Sequence, residues 1–371
     1  MVKRQFLQFI LPFGLPLLAG AAHTCYDLAL IVTAHSKTRQ IIIPFLSLDN
    51  RNLISDRYTA IASSVTAVLP MVPVGGTYNI SSTYCEPDEP TESVQLLAHG
   101  TSYNKKYWNV FRLPVQQAER YSWVNFATEK GYATFAIDRL GTGDSTLADP
   151  LLEVQMSLEA EILHGIVGML RAGAVKGRHF QKVALVGHST GSIIGKLVSV
   201  NHSEDFDALV LAGFTTHVPE LLYYNSSEIP LPAALVNPSK WGQRHLGLTF
   251  PLKSTIERSF YGSNGNYDPT IVAQDFDNTE PFSMGQVVTP NSALNPSPSY
   301  AKPVHGLVGQ HDTDRCNGTC SYGPTNIPGN IAGVFPPSRN FTYHIVPNTG
   351  HNLNLHYSAA ESFEVAHYSL R

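Results

Sequence analysis

The sequence predicts an α/β architecture, a mostly parallel central sheet flanked by helices, and three features predict it. Short apolar runs of strand length recur along the chain: Val94 to Ala98, Tyr132 to Ile137, Lys182 to Val186, Ala208 to Gly213, Pro303 to Val308 and Phe341 to Val346. A long amphipathic stretch, Leu151 to Ala174, lies between the second and third runs and suits the helical crossover that parallel strands need. Directly after the third run, Ser192 to Val200 places apolar residues at helical spacing.

The third run carries the chemistry. It passes straight into Gly187-His188-Ser189-Thr190-Gly191 and then into the helical pattern. In such a strand-turn-helix elbow the serine backbone is strained, and the flanking glycines keep side chains out of the way so that the hydroxyl projects. A Ser/Gly turn with no chemistry is the plainer alternative, and the strand before it and helix after it favour a nucleophile. A serine hydroxyl needs a base, an orienting acid and donors for a developing oxyanion. Phe341 to Val346 runs into Pro347-Asn348-Thr349-Gly350-His351, which presents His351 as the base. Pro303 to Val308 is followed by Gly309-Gln310-His311-Asp312, which presents Asp312 as the acid. The first strand ends in His99-Gly100-Thr101, so the backbone N–H of Thr101, with that of Thr190 after the nucleophile, forms the expected oxyanion hole.

With these residues in view the chain resembles the α/β-hydrolases, in the esterase and lipase-like branch with a His-Gly oxyanion loop. The resemblance covers roughly residues 75 to 371 and includes the family's Ser, Asp, His order. Asp138-Arg139-Leu140-Gly141-Thr142-Gly143-Asp144-Ser145 matches a D-x-x-G-x-G-x-S turn that many members carry and that is usually structural. The resemblance implies an α/β-hydrolase fold and ester chemistry, since relatives with a carboxylate nucleophile need Asp where Ser189 stands. About ninety residues separate the strand at Ala208 from the acid strand, too many for a simple crossover. They read as a cap over residues 213–300, between core segments 23–212 and 301–371. Its aromatic residues, Tyr223, Tyr224, Trp241, Phe250, Phe260, Tyr261, Tyr267, Phe276 and Phe282, are expected mostly to pack among themselves, with two or three facing substrate.

Residues 1–22 read as a signal peptide, with Lys3 and Arg4, an apolar run from Phe6 to Leu18, and small residues before a cleavage site near Ala22. The run is short for a membrane span and is interrupted by Pro12, Gly14 and Pro16, so no stable membrane anchor is expected after cleavage. Four cysteines allow three pairings, and the close spacing of Cys316 and Cys320 favours a local clasp that leaves Cys25 with Cys85. Sequons at Asn79, Asn201, Asn225, Asn317 and Asn340 fit a glycoprotein that is secreted or held in the lumen of the secretory pathway. A net charge of −4, with 15% charged residues, gives no basic face for nucleic acid. No metal-binding pair of the H-E-x-x-H kind occurs, and neither a metal nor a cofactor is expected.

The expected activity is cleavage of a carboxylic ester through an acyl-enzyme on a small-molecule substrate. The alternatives are acyl transfer, condensation or cyclisation at the same site, and a fold that only holds a ligand. Asp314 and Asp207 are rivals for the acid; Asp207 precedes its strand and so belongs at the wrong end of the sheet. His311 is a weaker base than His351 because it precedes the acid. His188 is expected to be a packing group beside the nucleophile, and His164 a partly buried helix residue.

Overall fold

The computed structural model describes residues 23–41, 69–109, 118–217, 231–242, 247–249, 252–262, 265–287, 289, 294–322, 325–338 and 340–370. The expected signal peptide, Asn225 and the aromatic residues Tyr223, Tyr224 and Phe250 lie outside the described residues.

Eight strands form the main sheet: β1 (Thr24–Arg39), β2 (Met71–Glu86), β3 (Ser93–Ala98), β4 (Ala133–Ile137), β5 (Lys182–His188), β6 (Ala208–Ala212), β7 (Val304–Gly309) and β8 (Phe341–Val346). Their spatial order is β1-β2-β4-β3-β5-β6-β7-β8. β1 and β2 pair antiparallel, as do β2 and β4, and every other pairing in the sheet is parallel. The fold is the α/β-hydrolase fold. Helices α1 (Trp123–Glu129), α2 (Met156–Arg171), α3 (Thr190–Asn201) and α5 (Ala359–Ser369) flank the sheet, and α4 (Pro269–Asp277) lies in the segment between β6 and β7.

Successive strand residues point to opposite faces, and here both faces are covered. Leu96, Phe135, Leu185 and Leu209 pack in one core with Leu158, Ile162 and Ile166 of α2 and Ile194 and Leu197 of α3. Their neighbours Leu97, Ala136, Val186 and Val210 pack in a second core with Trp123 and Val124 of α1 and Phe363 and Ala366 of α5. That double burial is why the central strands read as apolar runs rather than alternating ones. The outer pair differs: β1 alternates exposed and buried positions, with Leu30, Val32 and Ala34 turned to the core.

Helix α2 is shorter than the amphipathic stretch suggests, because residues 151–153 form a turn whose amides are held by Asp149 and only Met156 begins the helix. His164, expected to be partly buried, is exposed on α2 and bonds Asp205 through Nδ1 at 2.8 Å. Both disulfides form, Cys25–Cys85 across the β1–β2 register and Cys316–Cys320 within a loop. Closing the 60-residue separation of the first restricts the unfolded chain by about 4 kcal/mol on the chain-entropy model. Asn79, Asn201, Asn317 and Asn340 are exposed. No described helix is long and apolar enough to cross a membrane.

The segment between β6 and β7 contains a small three-stranded antiparallel sheet, Leu231–Pro232, Gly247–Thr249 and Phe282–Ser283, together with α4. Trp241, Phe260, Tyr261 and Phe282 are buried within or beneath it, while Tyr267 and Phe276 are partly buried.

Candidate active site

Ser189 stands between β5 and α3 with φ 52° and ψ −114°, a conformation that side chains with a Cβ rarely adopt. The turn is fixed from both sides. The Ser189 N–H donates to the Ala212 carbonyl at 2.8 Å, and a Cβ at position 191 would meet the Ala98 carbonyl oxygen at 2.0 Å. Only glycine therefore lets α3 start this close to β3.

The other expected residues arrive from loops at the carboxyl ends of the parallel strands. Asp312, after β7, is fully buried and accepts from His351 Nδ1 through Oδ2 at 2.8 Å. Asp312 also caps the short helix Thr313–Cys316, with Oδ1 accepting from the Arg315 N–H at 2.7 Å. Thr101 and Thr190 meet through their hydroxyls at 2.6 Å, and neither backbone N–H is engaged by another described residue. Asp207 sits at the amino end of β6, where it bonds Arg171 and the Val183 N–H, remote from this cluster. His188 is buried, stacks on Tyr107 with ring centroids 4.6 Å apart, and donates from Nε2 to the His351 carbonyl at 3.0 Å. Burial, reinforced by His351 and Arg315, holds His188 well below its ordinary pKa and hence neutral.

The Asp138–Ser145 turn supports the oxyanion-loop candidate from beneath. Arg139 donates to the carbonyls of His99 and Gly100, and its other arm bonds buried Glu159 at 2.7 Å. With these carbonyls held inward, the following amides are free to face the serine.

Two features were not anticipated from sequence. First, Ser189 Oγ makes no hydrogen bond to His351; Arg315 Nη2 donates to it at 3.2 Å. Asp314, the remaining rival for the acid, lies 3.6 Å from His351 Nε2 and 2.9 Å from Arg315 Nε. The loop after β7 thus contributes three charged groups. Burial opposes a charged His351, but Asp312 and Asp314 outweigh both burial and Arg315 and raise its pKa. Burial likewise opposes a charged Asp314, yet Arg315 and then His351 hold its pKa down.

Second, a buried carboxylate ties the β6–β7 segment to the loop that carries His351. Asp275 on α4 accepts from Tyr103 and Tyr261, each at 2.8 Å, and from Asn352 Nδ2 at 3.3 Å. The Asn352 N–H donates to the Phe260 carbonyl at 2.8 Å, and His356 binds the same loop by accepting from the Gly350 N–H at 3.0 Å. Burial raises Asp275 to about 6, with the two tyrosine hydroxyls resisting.

Residues 95–364 match the model of the alpha/beta hydrolase family. The chain belongs to that family. Among solved structures it is similar to a thermophilic esterase from Thermogutta terrifontis, with a TM-score of 0.53, 15% identity, and 79% of this chain and 93% of that one covered. An enol-lactonase from Burkholderia xenovorans gives a TM-score of 0.51 at 11% identity, covering 79% and 96%. An alpha/beta hydrolase fold protein from Chitinophaga pinensis gives 0.50 at 10%, covering 78% and 93%. No curated protein matches by sequence. At these identities the likeness is one of fold.

Two expectations follow for this alpha/beta hydrolase. With His351 as the candidate base, the acid limb of kcat/KM is expected to report the proton on its ring in the free enzyme. Asp314→Asn removes one of the charges that raise that pKa and leaves Arg315 to lower it, so the limb is expected to move to lower pH; an unmoved or raised limb contradicts the assignment. Asp275 binds its proton more tightly folded than unfolded, where its ordinary value is 3.8. Its favourable contribution is complete below that value and is lost as pH rises through about 6, a difference on the order of 3 kcal/mol. Asp275→Asn should therefore gain in melting temperature relative to wild type as pH rises from 4 to 7, and parallel curves would refute the link.

Proposed function

We propose that this chain is a secreted serine hydrolase that cleaves a carboxylic ester of a small molecule through an acyl-enzyme on Ser189. The observation that carries the reading is the strained Ser189 turn together with the buried Asp312–His351 pair and the unengaged N–H groups of Thr101 and Thr190. Membership of the alpha/beta hydrolase family supports hydrolase chemistry in general.

In this reading His351 Nε2 takes the Ser189 hydroxyl proton as Oγ bonds to the ester carbonyl carbon. The negative charge moves to the carbonyl oxygen, where the N–H groups of Thr101 and Thr190 receive it. Collapse breaks the bond to the alcohol oxygen, which leaves with the proton from Nε2. Water then gives a proton to His351 Nε2 and attacks the acyl carbon; the bond from that carbon to Oγ breaks, Oγ takes the proton from Nε2, and the acid leaves. Asp312 keeps Nδ1 protonated and steadies the imidazolium. Nε2 must reach Oγ for the first step, so Arg315 has to yield its place at the serine. Residues 213–300 act as the cap, and Phe260 and Asp275 are its contacts with the catalytic loop.

Ser189 should be the residue labelled by a fluorophosphonate, and Ser189→Ala should lower ester turnover by several orders of magnitude with the melting temperature retained. Asp312→Asn should lower it roughly ten-thousand-fold while leaving the fold intact. Labelling of another serine, or loss of turnover in Asp314→Asn but not Asp312→Asn, would defeat these roles. Export rests on the expected leader, the two disulfides and the exposed sequons. Secreted material is expected to begin near His23 and to lose mass on endoglycosidase treatment; an intact Met1 and an unchanged mass would count against it.

A further inference from the structure

We propose that Arg315 is a substrate-binding residue, and that the ester this enzyme prefers carries a carboxylate that docks on its guanidinium. The inference deepens the serine-hydrolase reading and rests on it.

Arg315 is mounted as part of the site. Its N–H is held by Asp312 Oδ1 at 2.7 Å, its carbonyl accepts from Thr215 Oγ1 at 3.1 Å, and the next residue, Cys316, is locked to Cys320. The side chain that leaves this mount is 12% exposed and ends at the nucleophile, with Nη2 3.2 Å from Ser189 Oγ. A guanidinium has five N–H donors in a planar fork. Among the described residues the bond to Ser189 is the one hydrogen bond these donors make. Asp314 Oδ2 is 2.9 Å from Nε but off the line of its N–H, so Nε is buried without a hydrogen-bond partner. Asp314 compensates charge without filling the fork. A largely buried guanidinium with most donors idle, aimed at the reacting atom, is built to receive an acceptor from outside the chain.

The surrounding charges select the acceptor. Asp312 and Asp314 stand on the same loop, and His351 and Arg315 offset them, while His188 is neutral. A dianionic phosphate would face two carboxylates, whereas a single carboxylate matches the Nη edge and leaves Asp314 on the Nε side. The contact also limits how far that carboxylate lies from the reacting carbonyl. Nη2 stands 3.2 Å from Ser189 Oγ, so one short molecule meets both groups. A short dicarboxylic acid esterified at one end is such a molecule. Docking draws the guanidinium off Oγ, and the hydroxyl is then free to donate to His351 Nε2. Ester and anion are thus read together.

The test compares kcat/KM for monoethyl succinate with that for ethyl pentanoate, followed by acid release, in wild type, Arg315→Met and Arg315→Lys. Wild type should favour the hemi-ester, and Arg315→Met should lower that preference roughly ten- to hundred-fold, with Arg315→Lys between. A preference unchanged in Arg315→Met overturns the proposal, as does a wild-type enzyme that labels at Ser189 yet shows no preference. Should Arg315→Met fail to fold, wild type decides alone: free succinate, but not the neutral diamide, should protect Ser189 from fluorophosphonate, and equal protection by both overturns the assignment. Absence of labelling in wild type overturns the serine-hydrolase reading itself, and this inference with it.

Discussion

The backbone of Ser189 is the constraint around which the rest is arranged. A non-glycine residue at φ 52° and ψ −114° costs on the order of 1–3 kcal/mol, and it persists only where the surroundings over-determine it. Here they do so on three sides: β6 holds the Ser189 N–H through Ala212, β3 closes on Gly191, and α3 begins at Thr190. Each contact needs a parallel strand in its register, so the strain is sustained by the two apolar cores that bind the sheet to its helices. Relaxing the turn would mean moving a strand.

Asp312 is the second joint. Its two oxygens serve different partners, Oδ2 the imidazole of His351 and Oδ1 the amide of Arg315. One carboxylate therefore sets both the orientation of the base candidate and the mount of the cation over the serine. Three further charged groups, Asp314, Arg315 and His351, cluster around it. His351 is raised by two carboxylates and lowered by Arg315, and any exchange at Arg315 alters the proton affinity of the imidazole. Binding of an anion there would thus change position and protonation at the same time.

The central sheet was legible because strands buried on both faces leave unbroken apolar runs, and all six expected runs became strands within a residue or two of their reading. Ser189, Asp312, His351, Thr101 and Thr190 were legible for a related reason: each follows the carboxyl end of one of those runs. β1 and β2 both escaped, because much of each alternates exposed and less exposed positions instead of running apolar, and the resemblance to the family starts only at about residue 75. Arg315 escaped for a sharper reason. It sits in a four-residue helix too short for any period, beside a cysteine, where an arginine reads as a solvated side chain. Its direction is set by Asp312 and Thr215, residues 3 and 100 positions away, and no local pattern encodes that. Asp275 was hidden in the same way, since its partners Tyr103, Tyr261 and Asn352 lie 172, 14 and 77 positions away.

Those partners also tie the long segment between β6 and β7 to the loops that carry the candidate site residues. The segment between β6 and β7 grips the loop after β8 at Asn352, next to His351, through Asp275 and through the Phe260 carbonyl. His351 therefore has two anchors, Asp312 on its ring and, through its neighbour Asn352, the α4 network. The second makes the position of His351 depend on how the segment between β6 and β7 is seated. A buried carboxylate that is half-protonated near pH 6 makes this grip sensitive to acidity, because an ionised Asp275 accepts its three donors more strongly but at the cost of its own burial. The segment between β6 and β7 and the charged loop after β7 thus both bear on His351, one through the neighbouring Asn352 and the other through its ring.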